Sequence, residues 1–120
     1  ESLAYRVDSG EGSVVFASDT APCESVDELA CEADTLIISC WDHQRLMDRD
    51  TPEIAEVIMG TLEVARMARD CGVKRLIVTH MTPGLSRPGS AEKGIGDIAQ
   101  IFQGEIIWAE ELMSISLTVG

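Results

Sequence analysis

Several side chains that can ligate a metal or move a proton stand directly after apolar, strand-like runs. Asp19 follows Ser13–Ala17, within Ser18-Asp19-Thr20. Asp42 and His43 follow Thr35–Trp41, and His80 follows the run that begins at Arg75. An Asp oxygen and a His nitrogen are natural ligands for zinc or a similar divalent ion. Two groups do not complete such a site, since a catalytic zinc takes about three protein ligands. Each residue also has a plainer reading. Asp19-Thr20 alone is compatible with a turn or a helix cap, His80 with a structural loop histidine, and His43 with a solvated surface position.

What gives these residues a common meaning is the order of the elements before them. Leu3–Val7 and Ser13–Ala17 read as strands, with the turn cluster Asp8-Ser9-Gly10-Glu11-Gly12 between them, so the chain opens on a hairpin. Ser25–Ala33 has helical spacing, with Ser25 as its cap. Thr35–Trp41 is a β-branched apolar run that suits a strand buried on both faces. Asp42–Asp50 is polar and reads as a loop. Thr51-Pro52 starts a helix. Ile54–Arg69 is helical, interrupted at Gly60-Thr61, with Leu62, Ala65, Met67, Ala68 and Cys71 inward and Gly72 as the terminator. Arg75–Thr79 is a strand and His80–Gly89 an irregular loop. Ala91–Phe102 is a helix with Ile95, Ile98, Ala99 and Phe102 on one face. Glu105–Ala109 and Met113–Leu117 read as closing strands. Strands alternating with helices predict an α/β fold with a partly parallel sheet. Ligands in such sheets bind off the carboxyl ends of the strands, where Asp19, Asp42, His43 and His80 stand.

Composition narrows the function classes. The chain has 120 residues, enough for one domain and too few for two. It carries 9 Lys and Arg against 21 Asp and Glu, a formal charge of −12. That charge repels phosphate backbones and anionic membrane surfaces, so nucleic acid is not favoured as a partner of this chain alone. No apolar run approaches the ~20 residues that span a bilayer. The four cysteines form no CxxC pair, which removes zinc-ribbon and thioredoxin-like sites. Reduced thiols and the absence of a basic and apolar leader fit a cytoplasmic protein. There is no GxGxxG after a strand, no P-loop, no HExxH and no GxSxG elbow.

The order and spacing of four segments resemble the metallo-β-lactamase-fold hydrolases, in their ribonuclease Z-like subgroup. Tyr5-Arg6-Val7 followed by Ser13 to Cys23 is similar to the family's strand–strand–"GDT" segment. Leu29-Ala30 through Ala33-Asp34-Thr35-Leu36-Ile37 is similar to its "LA.gADlLI" segment. Ala65–Ala68 with Gly72-Val73-Lys74-Arg75-Leu76-Ile77-Val78-Thr79-His80 is similar to "A…A…GVKRLvLTH". Gly104 to Ile107 with Ala109 to Met113 is similar to the closing "GevivAeDlm". The resemblance runs over nearly the whole chain.

The resemblance implies an α/β fold of the αββα sandwich type, of which residues 1–120 are the C-terminal half, a mixed sheet with helices on its outer face. It implies a metal-dependent hydrolase with two zinc ions. Asp19 matches the carboxylate that bridges the metals, and His80 the last His ligand. The family's HxHxDH motif and its next His have no counterpart here, since His43 and His80 are the two histidines of the chain. With Glu1 in place of an initiator Met, the expectation is that an N-terminal half carries the other ligands and is the first partner. Two departures stand out. Ser18 replaces the "GDT" glycine, and 57–61 lacks the His that ribonuclease Z enzymes carry at a helix start. Asp42 or His43 is then the candidate replacement proton donor, so the catalytic set is Asp19, His80 and His43. The reading placed first is hydrolysis of a small-molecule ester, lactone, amide or phosphodiester by a homodimer. The alternatives are tRNA 3′-end processing of the ribonuclease Z type and a non-catalytic domain of the same fold.

Overall fold

The computed structural model describes residues 3–119. Five strands form one sheet in sequence order: β1 (Ala4–Ser9), β2 (Gly12–Ala17), β3 (Thr35–Ser39), β4 (Arg75–Thr79) and β5 (Glu105–Trp108). β1 and β2 are antiparallel, and β2 through β5 are parallel. The parallel strands are linked by α1 (Glu24–Ala30), then α2 (Gln44–Asp50), α3 (Pro52–Ala55) and α4 (Thr61–Cys71), then α5 (Pro83–Ser86) and α6 (Ser90–Ala99). Parallel neighbours cannot be joined by a tight turn, so each link is a crossover. Because every crossover steps the same way across the sheet and crossovers share one hand, the helices collect on one face.

Burial follows that layout. Val15 and Ala17, Leu36 and Ile38, and Leu76 and Val78 point to the helical face and form the core with Ala65, Ala68, Leu85, Ile98 and Phe102. Met59 and Met67 join them. Gly72 ends α4 at φ 72°, a left-handed conformation that glycine adopts without steric cost. All four cysteines are free. No helix of the described residues is long and apolar enough to cross a membrane.

The opposite face carries no helix. There the register lines up Tyr5, Phe16, Ile37, Ile77 and Ile107, one apolar residue from every strand. Tyr5 is 60% and Phe16 47% exposed. The stretch after Trp108 turns back across this face. Arg75, buried on the same face, donates from Nε to Thr35 Oγ1 at 3.1 Å and from Nη2 to the Ser116 carbonyl at 2.7 Å. The Leu117 carbonyl comes so near Gly12 that a Cβ there would sit 2.9 Å from it.

Several sequence readings are corrected. Asp42–Asp50 is not a loop, because 44–50 forms α2, with Met47 buried and the Gln44 side chain buried and hydrogen-bonded to Asp48 and Glu63. Met113–Leu117 is not a strand, because its backbone answers the Arg75 guanidinium instead of the edge of β5. The first helix starts before Ser25 and ends at Ala30, and Ser25 is not its cap. His80–Gly89 contains the short helix α5. Val64 rather than Leu62 takes the buried place in α4, and Ala99 is exposed.

The starts of three strands are tied by Asp34. Its Oδ2 accepts the Ser13 N–H at 2.9 Å and its Oδ1 meets Lys74 Nζ at 3.2 Å. Its carbonyl accepts the N–H groups of Lys74 and Arg75. The Ser13 N–H, then Lys74, hold the Asp34 carboxyl below the ordinary carboxylate range. A lowered folded-state pKa contributes stability that is complete above the unfolded value and lost as pH falls through the folded one. Asp34→Asn is therefore expected to lower the melting temperature at neutral pH and to flatten its fall in acid, measured by thermal unfolding between pH 7 and 3. The exposed pair Tyr5 and Phe16 makes a second expectation. The 120-residue chain alone should self-associate, and the pair Tyr5→Ser and Phe16→Ser should reduce this in sedimentation. A monodisperse parent chain with a sharp melt would argue that the face needs no cover.

Candidate active site

Parallel pairing delivers three strand ends to one rim. Ser39 is in register with Thr79, and Ala17 with Ile38. Asp19, two residues past β2, and His80, one residue past β4, flank the end of β3. They are 61 residues apart in sequence, yet His80 Nδ1 and Asp19 Oδ1 are 2.7 Å apart. Both side chains are about half exposed.

His80 sits at φ 56°, a left-handed backbone that costs a non-glycine residue about 1–2 kcal/mol. Such strain persists where the surroundings enforce it. Here the β4 ladder precedes His80, the Trp41 carbonyl accepts the Thr82 N–H after it, and the Trp41 ring meets the imidazole edge-on at 5.9 Å. Partial burial acts to raise the Asp19 pKa. Hydrogen bonds from the Ser39 hydroxyl and His80, with the charge of His80, outweigh it, so the carboxyl lies below its ordinary value. Asp19 also lines a cavity of about 330 Å³ between the hairpin and α1, walled by Leu3, Ala17, Val26 and Leu29.

Sequence reasoning named Asp19 and His80, and the fold joins them. It missed Ser39 and Trp41, which read as parts of an apolar core run. The available signal was their place at the end of β3, between the strands that deliver the other two. His43 is not joined to the pair. It is 8% exposed rather than solvated, caps the start of α2 and faces another cavity. Asp42 spends its Oδ1 on the His43 N–H at 2.8 Å.

The donor chemistry of the pair fits part of a zinc site. An anionic oxygen and an imidazole converge on one point, and bonding through Nδ1 leaves Nε2 clear of Asp19. Among the described residues, no three His, Cys, Asp or Glu side chains group closely enough to hold an ion.

Known proteins resemble the chain in sequence and in fold. No protein-family model matches the chain. It is 34% identical over 112 residues to the ribonuclease Z of Mycobacterium tuberculosis H37Rv, covering 87% of this chain and 39% of that protein. It is 32% identical over 106 residues to the ribonuclease Z of Methanosarcina acetivorans, covering 87% of this chain and 32% of the other. The crystal structure of the metallo-β-lactamase fold protein YhfI from Bacillus subtilis superposes with a TM-score of 0.71 at 25% identity, over 89% of this chain and 41% of that one. The chain is similar in sequence to ribonuclease Z proteins and has the metallo-β-lactamase fold. Human tRNase Z, short form, shares the fold at a TM-score of 0.68 and 20% identity, over 97% of this chain and 37% of that one. The ribonuclease Z-like chain thus spans less than half the length of the curated relatives it matches.

Two donors are fewer than a tightly held zinc needs. The 120-residue chain alone is therefore expected to lose zinc on dialysis, read by metal analysis. One zinc retained per chain would show that it holds a site of its own.

Proposed function

We propose that this chain is the C-terminal half of a metallo-β-lactamase-fold hydrolase of the ribonuclease Z type, a metal-dependent phosphodiesterase acting on RNA 3′ ends. One observation carries the reading. Asp19 and His80, the residues that match the family's ligands, meet at 2.7 Å on the rim where parallel strands present ligands. Curated relatives named ribonuclease Z favour this activity over the small-molecule hydrolase that the sequence placed first.

In this proposal Asp19 would help to hold both of two zinc ions and His80 would help to hold one of them. The remaining ligands come from an N-terminal half in the same cytoplasmic protein. When bound, the metals supply Lewis acidity and lower the pKa of water at the site. Asp19 brings negative charge, as any aspartate does at neutral pH, and Ser39 and His80 lower its carboxyl further. Trp41 packs on His80 and limits how the ring can turn. The exposed end of the row, Tyr5 and Phe16, supports the half-domain reading, since a second sheet packed there would bury both aromatic side chains.

A second reading, hydrolysis of a small ester, lactone or amide, has its own support. The charge of −12 opposes RNA phosphates. Met59 is buried within the 57–61 segment, where the ribonuclease Z pattern carries a His.

The test uses the full-length protein, with a tRNA precursor and a panel of esters and lactones. Asp19→Ala and His80→Ala are each expected to cut turnover by several orders of magnitude with little change in melting temperature. Asp19→Ala should lower total metal content more, because it serves both ions. Full activity in Asp19→Ala would overturn the hydrolase reading. Cleavage of the esters but not of the RNA would favour the second reading.

A further inference from the structure

Two of the four free thiols stand beside each other at the ends of two helices. Cys31 directly follows α1, Cys71 is the last residue of α4, and both line one cavity of about 430 Å³. Cys31 is exposed and Cys71 is buried. The other two thiols lie elsewhere: Cys23 on the cavity at Asp19, and Cys40 wholly buried after β3.

Two contacts join Cys31 and Cys71. The Cys71 carbonyl accepts the N–H of Glu32, the residue after Cys31, at 2.8 Å. With planar trans peptides on both sides of that bond, the Cα atoms of Cys31 and Cys71 stand about 5–6 Å apart. A disulfide spans Cα atoms about 4.4–6.8 Å apart. The second contact gives the direction of the buried thiol. Cys71 Sγ donates to the Asp27 carbonyl at 3.5 Å. That carbonyl lies one helical turn before Cys31, so the thiol points to the end of α1. The same end is held from the other side by Arg6, whose Nη1 donates to the Leu29 and Cys31 carbonyls, each at 2.9 Å. Burial, then Asp27 and the neighbouring Cys31, push the Cys71 thiol up to about 11. Exposed Cys31 is therefore the thiol that an oxidant meets first.

We propose that Cys31 and Cys71 are a reversible dithiol–disulfide pair, oxidised by a small uncharged disulfide. The Cys31 thiolate attacks one sulfur of the oxidant and releases the first thiolate, which takes up the proton that Cys31 lost. Cys71, on losing its proton, attacks the Cys31 sulfur of the mixed disulfide and releases the second thiol. Overall one S–S bond breaks and one forms, the two protein thiols give up two electrons, and the oxidant leaves as two thiols. Asp27, Glu28, Glu63 and Asp70 on the cavity wall disfavour an anionic oxidant. The pair is separate from Asp19 and His80 and does not depend on the hydrolase reading.

The test is peptide mapping of the full-length protein. The reduced protein is freed of reductant, incubated with 2-hydroxyethyl disulfide, then quenched with acid and alkylated. Trypsin with a glutamate-specific protease puts Cys31 in peptide 29–32 and Cys71 in peptide 70–74. These two peptides are expected to be joined after oxidation and to separate on treatment with dithiothreitol. Cys71→Ala should stop the reaction halfway, with mercaptoethanol left on Cys31. Cys31→Ser should leave Cys71 reduced, and Cys23→Ser should leave the link intact. Mercaptoethanol retained on Cys31 of the parent protein, with Cys71 still reduced, would overturn the proposal. So would a link from either residue to a different cysteine, or a link that forms only after unfolding in urea.

Discussion

The carboxylate of Asp34 fixes where three strands begin. It binds the first residues of β2 through the Ser13 N–H, belongs itself to the entry of β3, and reaches the start of β4 through Lys74. Its own N–H is answered by Ser13 Oγ at 2.9 Å, so the tie is reciprocal. Strands that start level and pair in parallel also finish level. The consequence appears five or six residues later, at the other end of the sheet, where Asp19, Ser39 and His80 emerge side by side. A slip of one residue in β4 would turn its buried side chains to the other face and separate His80 from Asp19. Register is therefore as much a property of the candidate site as its ligands are.

The same parallel order explains the uneven distribution of burial. Each crossover moves one strand along the sheet, so the helices pile on one side and the core closes there. Nothing in the connectivity supplies a cover for the other side. The stretch after Trp108 spans part of it, latched by Arg75 through a single carbonyl, and leaves Tyr5 and Phe16 open. A buried guanidinium held by a hydroxyl and a carbonyl, with no carboxylate partner among the described residues, is a costly arrangement for an isolated sheet. Both observations suit a sheet whose second face belongs to a packing partner.

The rim concentrates the features that a well-packed fold otherwise avoids. His80 has a left-handed backbone, Asp19 and His80 are exposed together, and a Trp lies against the imidazole. In contrast, the helical core is apolar and uniformly buried. Glu32 and Leu112 share the left-handed backbone of His80, so strain alone does not set the rim apart; what does is an exposed Asp and His held together at strand ends on either side of β3.

Much of this was legible in the residues themselves. Thr35–Trp41 could be read as holding a strand buried on both faces because its apolar run is nearly continuous, and Arg75–Thr79 as a further strand, of which the fold keeps Thr35–Ser39 and Arg75–Thr79. Gly72 and Pro52 marked helix ends through backbone constraints that are local to the chain. Asp19 and His80 stood out because each follows such a strand. Other features depend on contacts between distant segments. Gln44–Asp50 looked polar, and its helix exists because Gln44 and Met47 find cover beside Gly60. Met113–Leu117 has strand-like residues, yet Arg75 draws its backbone onto the sheet face instead of its edge. Ser39 and Trp41 carried no sign of a polar role until β2 and β4 were placed on either side of β3. The sequence determined the five strands of the sheet, the sheet class and the two ligand candidates, because propensity, patterning and turn chemistry act over a few residues. Only the tertiary structure decided that Asp19 meets His80 while His43 faces another cavity, because that depends on the register of strands joined by long crossovers, which no local pattern encodes.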